Sequence, residues 1–324
     1  MTAPILEVRD LCVEIDTPGG RIRPVERVSL TLDPGQALGV VGESGSGKSL
    51  TLRAILGLLP RRARITHGSI LLDGHALGEG GLRHVRGREI GMVFQEPQTA
   101  LNPVMRVGDQ IAEGPRVVLG LSRRRARERA IELMRDVGIP DPLRRAEAYP
   151  HELSGGLRQR ITIAIALALE PRILLCDEPT TALDVTVQGQ ILRLLGDLRE
   201  RRGLALVYVS HDLAVVSQTC RDLVVMYAGR VFETGRVREV FADPRHPYTR
   251  ALLRSVIALD ARGREPEPIP GAPPDAAAPP SGCRFHPRCA FRHDICDTGN
   301  YPLLPIGDGR ASACAFHEEL PHGL

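Results

Sequence analysis

The stretch Ala37-Leu38-Gly39-Val40-Val41-Gly42-Glu43-Ser44-Gly45-Ser46-Gly47-Lys48-Ser49 decides the fold. Its apolar start suits a buried strand, and Lys48 to Leu59 has the apolar spacing of a helix. Between them, glycines let successive backbone N–H groups turn inward around an anion, and the following helix adds the positive end of its dipole. Strand, glycine-rich turn and helix in this register make a phosphate cradle. Gly42, Ser44, Gly45, Ser46 and Gly47 form the loop, Lys48 reaches the β- and γ-phosphates of a nucleotide, Ser49 ligates Mg2+, and Leu50 completes the binding segment. The plain alternative is a Gly/Ser-rich connector; Lys48 and Ser49 at the helix start argue against it.

Downstream, Leu153-Ser154-Gly155-Gly156-Leu157-Arg158-Gln159-Arg160 is a second glycine-based phosphate element. One nucleotide does not need two cradles. The simplest geometry sends Ser154, Gly155 and Gly156 to a nucleotide held by another subunit, which makes dimerisation part of the chemistry. Ile173 to Cys176 is an apolar strand ending in Asp177 and Glu178. Asp177 belongs on the Mg2+ ion, directly or through water, and Glu178 polarises the attacking water as a general base. Gln95, closing the apolar strand Ile90 to Phe94, meets the Mg2+ or that water only when the segment after it is in place, and so reads as a sensor. His211 follows the apolar run Leu204 to Ser210 and is aimed to donate a hydrogen bond to the γ-phosphate.

A chain of 324 residues, 43% of them hydrophobic, can bury substantial cores and suggests about two domains. Its net charge of +3 gives no large basic field for gripping nucleic acid. The densest basic patch, Arg123 to Arg125 with Arg127 and Arg129, alternates with Ile131, Leu133, Met134 and Val137 and reads as a solvated helix face. No run approaches the roughly twenty apolar residues that span a bilayer. Met1 to Asp10 lacks a basic region followed by an apolar one, so no secretory signal is expected, and a membrane role would come through a partner.

Short strands and turns up to about Gly91 suggest a mixed sheet with one long helix after the phosphate loop. Residues 96–168 read as a helical insertion, after which strands return. An α/β core is the economical reading. Residues 1–258 are thus expected to form a nucleotide-binding domain. Residues 259–282 form a linker containing Pro266, Pro268, Pro270, Pro273, Pro274, Pro279 and Pro280, and residues 283–324 a small Cys-rich extension.

The phosphate loop, Gln95, the Leu153 to Gly156 signature, Leu174-Leu175-Cys176-Asp177-Glu178, Ala182-Leu183-Asp184 and His211 together resemble the ordered motif set of an ABC transporter ATPase, a P-loop NTPase. The resemblance covers about residues 5–250. It implies a P-loop core with an antiparallel β subdomain and a helical insertion, and a head-to-tail dimer with ATP in the interface. Ser154 and Gly156 would then contact the partner's γ-phosphate, and Asp184 would bridge the two sites. Ser49, Gln95 and Asp177 would hold Mg2+. Hydrolysis would separate the subunits and move a membrane permease through the insertion. Leu157 departs from the family's usual Gln. Adenine usually stacks on an aromatic where this chain has Ile15, and no aromatic precedes Phe94, so part of that stacking is expected to be missing unless Arg21 or Arg23 substitutes.

His246-Pro247-Tyr248-Thr249, with Phe94-Gln95-Glu96-Pro97, resembles the oligopeptide and dipeptide importers, specifically their D-type ATPase subunit. A Pro-Tyr turn capping a helix accounts for the motif physically. This branch implies a second, related ATPase as heterodimer partner, two permeases and an extracytoplasmic binding protein, at the cytoplasmic face of the cell membrane. Nickel or another small solute is the alternative cargo. A soluble ABC ATPase working on nucleic acid or ribosomes is the rival function, and a redox-sensing tail a non-enzymatic one. Cys283, Cys289, Cys296 and Cys314 cluster in the tail, and such clustering in a reducing compartment points to a metal or cluster. Their gaps are wide for zinc knuckles, whereas four thiolates suit a [4Fe-4S] cluster like that of related tails. His286, His293 and His317 keep Zn2+ open, as do unliganded thiols. Cys12, Cys176 and Cys220 read as small apolar residues.

Overall fold

The computed structural model describes residues 3–181, 183–256, 267–299 and 301–323. Ala182 lies outside the described residues, as do residues 257–266 with Pro266 and the start of the expected linker. Two compact units divide the chain: Met1–Glu79 with Tyr208–Leu324, and Gly80–Val207.

From the amino terminus come β1 (Leu6–Thr17), β2 (Gly20–Leu32), β3 (Ala37–Val41), α1 (Lys48–Ile55), β4 (Ala63–Leu72) and β5 (His75–Ala76). Then follow α2 (Glu79–Val85), β6 (Ile90–Val93), α3 (Pro97–Ala100), α4 (Val107–Val118), α5 (Arg123–Asp136), α6 (Pro142–Arg145), α7 (Gly155–Ala166), β7 (Ile173–Asp177) and α8 (Val185–Arg202). Strand β8 (Ala205–Ser210) returns the chain to the first unit. That unit finishes with α9 (Leu213–Thr219), β9 (Asp222–Tyr227), β10 (Arg230–Arg236), α10 (Val237–Ala242), α11 (Pro247–Val256), β11 (Leu304–Gly307) and β12 (Arg310–Ser312).

In the first unit, β2, β1, β4 and β5 form an antiparallel sheet in that order. Strand β3 is buried along its whole length and runs parallel to β9, and β10, β12 and β11 extend the sheet antiparallel. Helix α1 is not the long helix that its spacing predicts. Gly57 turns left-handed at φ 61°, and the Leu58 N–H reaches back to the Arg53 carbonyl at 2.8 Å, a glycine-based close that stops the helix after Ile55. Strand β2 begins earlier than expected, at Gly20, because the Thr17–Gly20 turn pairs it with β1 as a hairpin. The cysteine-bearing segment joins the core: Glu233 of β10 pairs with Ser312 of β12, and Thr234 with Ala311.

In the second unit, β6 and β7 pair in parallel, Ile90 opposite Ile173. Most of the residues between them are helical. Helix α5 starts on Ser122, whose hydroxyl accepts the Arg125 N–H, and buries Ala126, Ala130, Ile131, Leu133 and Met134. Arg124, Arg127 and Arg129 pair with Glu128, Glu147 and Glu170, so the arginine-rich stretch is a solvated face with much of its charge matched. Among the described residues, no helix is long and apolar enough to cross a membrane.

Candidate active site

The phosphate loop of the first unit is held by sterics that only glycine satisfies. Gly42 adopts φ 152°, and a Cβ there would lie 2.0 Å from the Met226 carbonyl oxygen; at Gly47, φ 98°, it would lie 2.6 Å from the Pro24 carbonyl oxygen. Gly47 caps α1 without a side-chain hydrogen bond, and a helix start of this kind is where an anion can bind. Lys48 is buried, and its Nζ donates to the Gly42 carbonyl at 2.7 Å, the Glu43 carbonyl at 2.9 Å and the Ser46 hydroxyl at 3.3 Å. Ser44 and Gly45 are exposed at the loop's crest, while Ser49 and Leu50 are half-buried in the first turn of α1.

Two residues that sequence reasoning did not assign to the loop touch it. The Tyr248 hydroxyl accepts the Glu43 N–H at 2.9 Å, and Arg288 forks onto the Glu43 carboxylate at 2.7 and 3.1 Å. Tyr248 belongs to the His246-Pro247-Tyr248-Thr249 motif, and the expected cap is present as well: His246 Nδ1 accepts the Tyr248 N–H at 3.0 Å. Burial pushes His246 down to about 3, so it stays neutral and can accept that bond.

Ile15 pairs with Ile22 across β1 and β2. Arg21 Nε bonds Asp16 at 3.2 Å, and an Arg23 guanidinium nitrogen bonds Glu14 at 2.7 Å. Strand alternation puts Glu14 and Asp16 on the face opposite Ile15. Both guanidinium groups are thus engaged with carboxylates on the face opposite Ile15. His211 follows β8 and is exposed.

In the second unit, β7 is buried throughout and ends on Asp177, 1% exposed. Glu178 follows in a left-handed conformation, φ 45°, a strain of about 1–3 kcal/mol for a non-glycine residue. Its carboxylate accepts from the Gln95 amide at 3.2 Å and from the Thr181 hydroxyl at 2.9 Å. Gln95 and Glu178, read separately in the sequence, thus meet directly, and Thr181 was missed. Ser154 is exposed and caps α7, its hydroxyl accepting the Leu157 N–H at 3.4 Å. A Cβ on Gly156 would lie 2.7 Å from a Val187 methyl, and one on Gly155 3.5 Å from Leu183. The signature turn is therefore packed against the start of α8, where Asp184 is the N-cap, accepting the Val187 N–H at 3.0 Å.

Cys283, Cys289, Cys296 and Cys314 line one small cavity with Phe285, Phe291 and Phe316. Burial pushes the Cys283 thiol up, Cys289 to about 11 and Cys314 to about 12. Among the described residues, no three His, Cys, Asp or Glu side chains are arranged to hold a single metal ion. Of the histidines that kept zinc open, His286 and His317 bond the Cys283 and Cys314 carbonyl oxygens through Nδ1 at 2.9 and 3.0 Å, and His293 stacks on Phe316. Cys12, Cys176 and Cys220 are buried, as their apolar surroundings suggest.

Comparison with known proteins points one way. A family described as ABC transporter matches residues 25–181, and another described as the C-terminal region of oligopeptide/dipeptide transporters matches residues 232–296. A protein of Brucella melitensis biotype 1 named as a peptide import ATP-binding protein is 48% identical over 98% of this chain and 98% of its own length. One of Brucella abortus with the same kind of name is 48% identical over 97% and 95%. Among solved structures, cbiO1 of Clostridium perfringens, part of the ABC transporter complex cbiONQ, matches with a TM-score of 0.64 at 28% identity, covering 74% of this chain and 91% of its own. The dimeric ATP-binding cassette MJ0796 bound to ADP and Pi matches with a TM-score of 0.64 at 29% identity, covering 72% and 99%.

Proposed function

This chain belongs to the ABC transporter ATPases, among the peptide-import ATP-binding proteins, and we propose that it hydrolyses ATP to drive oligopeptides or dipeptides inward through a membrane permease. Full-length identity to peptide-import subunits, joined to the match over residues 232–296, carries the cargo assignment.

The residues divide the chemistry as follows. Gly42, Ser44, Gly45, Ser46 and Gly47 present N–H groups to the phosphates, and Lys48 exchanges its carbonyl partners for the β- and γ-phosphate oxygens. Ser49, Gln95 and Asp177 offer oxygen donors, the hard ligands that Mg2+ takes, and would hold that ion, which when bound would neutralise charge developing on the γ-phosphate. Glu178 accepts the proton of the attacking water, Gln95 orients that carboxylate, and His211 donates to the γ-phosphate. Ser154, Gly155 and Gly156 form a capped helix start that serves a nucleotide on a second subunit, with Asp184 beside it; the dimeric state of MJ0796 supports this arrangement. The second subunit is a related ATPase rather than a copy, and the assembly sits at the cytoplasmic face of the cell membrane.

A [4Fe-4S] cluster is preferred to Zn2+ on ligand type and spacing: four cysteines line one cavity, and the gaps between Cys283, Cys289 and Cys296 are wider than those of zinc knuckles. Anaerobically purified protein should show visible absorption that Cys289→Ser abolishes; a colourless, zinc-loaded preparation would overturn the assignment.

The cargo is tested by reconstitution with the permeases and the binding protein. ATP turnover should rise severalfold when the binding protein carries a dipeptide or oligopeptide. A response only to a nickel complex or another small solute would remove peptide as the cargo.

A further inference from the structure

Glu43 has every polar group engaged: its N–H by Tyr248, its carbonyl by Lys48 and its carboxylate by Arg288. It is the second residue of the phosphate loop, and its half-buried carboxylate neighbours the place where a nucleotide's negative charge must sit. Arg288 comes from the far end of the chain, is 9% exposed, and gives its remaining donors to the Tyr227 hydroxyl at 3.0 Å and the Pro270 and Ile269 carbonyls at 2.8 and 3.4 Å. Phe285, three residues earlier, packs edge-on against both Tyr227 and Tyr248. The guanidinium is thus held in place, and it orients Glu43 and matches its charge in the loop position seen here.

We propose that Arg288 is a positioning residue of the nucleotide site: it neutralises and orients Glu43, so that the carboxyl-terminal segment sets how tightly the phosphate loop binds ATP. Without the guanidinium, a partly desolvated carboxylate stands unmatched beside a triphosphate, and like charges in such surroundings repel. A planar fork is required, because an ammonium cannot satisfy both carboxylate oxygens, Tyr227 and Pro270 together.

The test is equilibrium ATP binding by the purified full chain. It rests on the ATP-binding assignment, whose failure would show as no binding by the unsubstituted protein. Arg288→Met, which keeps the apolar stem, should weaken ATP binding about tenfold, the partly exposed carboxylate being partly screened. Adding Glu43→Gln removes the unmatched charge and should restore most of the loss, whereas Arg288→Lys should fall between Met and Arg. Melting curves accompany each variant. If Arg288→Met binds ATP as well as the unsubstituted chain, or if the double variant binds no better than Arg288→Met, Arg288 serves only the fold and the proposal fails. Should Arg288→Met not fold, the comparison of Arg288→Lys with and without Glu43→Gln decides in the same way.

Discussion

A Glu178→Gln chain should turn over ATP about 10² to 10⁴-fold more slowly than the unsubstituted protein while still binding the nucleotide. That loss corresponds to about 3 to 5 kcal/mol of transition-state stabilisation. The substitution isolates proton transfer because the two side chains are nearly the same shape. The carbonyl oxygen of the introduced amide can still accept from Thr181 and Gln95, which now hold Glu178 at 2.9 and 3.2 Å. The left-handed backbone at φ 45° is also unchanged by the swap. Only the capacity to take a proton disappears. Steady-state turnover measured beside nucleotide titration checks this, and near-normal turnover would move the general base elsewhere.

The second large effect is steric. Gly42→Ala should weaken ATP binding about a hundredfold, as expected from about 3 kcal/mol of loop strain. The added Cβ would sit 2.0 Å from the Met226 carbonyl oxygen, which belongs to the neighbouring buried strand and cannot retreat. The loop must therefore move, and with it the N–H groups proposed to face the phosphates. Gly45→Ala provides the comparison: its φ of 77° is also left-handed, but nothing lies within 4 Å of its Cβ. Its cost should be confined to the backbone, about 1–2 kcal/mol. Titration with a fluorescent nucleotide, accompanied by melting curves, separates the two. Equal affinities for the two variants would mean that the packing of the loop on β9 does not shape the site.

The phosphate loop was legible because its requirements are local. A buried strand, glycines and a Lys-Ser pair lie within one short stretch, and each has its own steric or electrostatic reason. The same holds for the capped turn at Ser154 and for the strand ending at Asp177. The length of α1 was misread since apolar spacing continues to Leu59, whereas Gly57 in a left-handed turn ends the helix first. The partners of Arg21 and Arg23 were not legible, because Glu14 and Asp16 lie across a hairpin whose register no local pattern reveals.

By itself, the sequence determined the class of fold, the ATPase chemistry and the local form of the glycine-rich loop, because each motif works through its own backbone geometry and spacing. Only the tertiary structure decided that Gln95 grips Glu178, that the cysteine-bearing tail supplies strands to a core sheet, and that Tyr248 and Arg288 close on Glu43. Each of those contacts joins residues far apart along the chain, so it depends on which long-range strand pairings and buried side chains win in the folded state, and no short-range pattern encodes that choice.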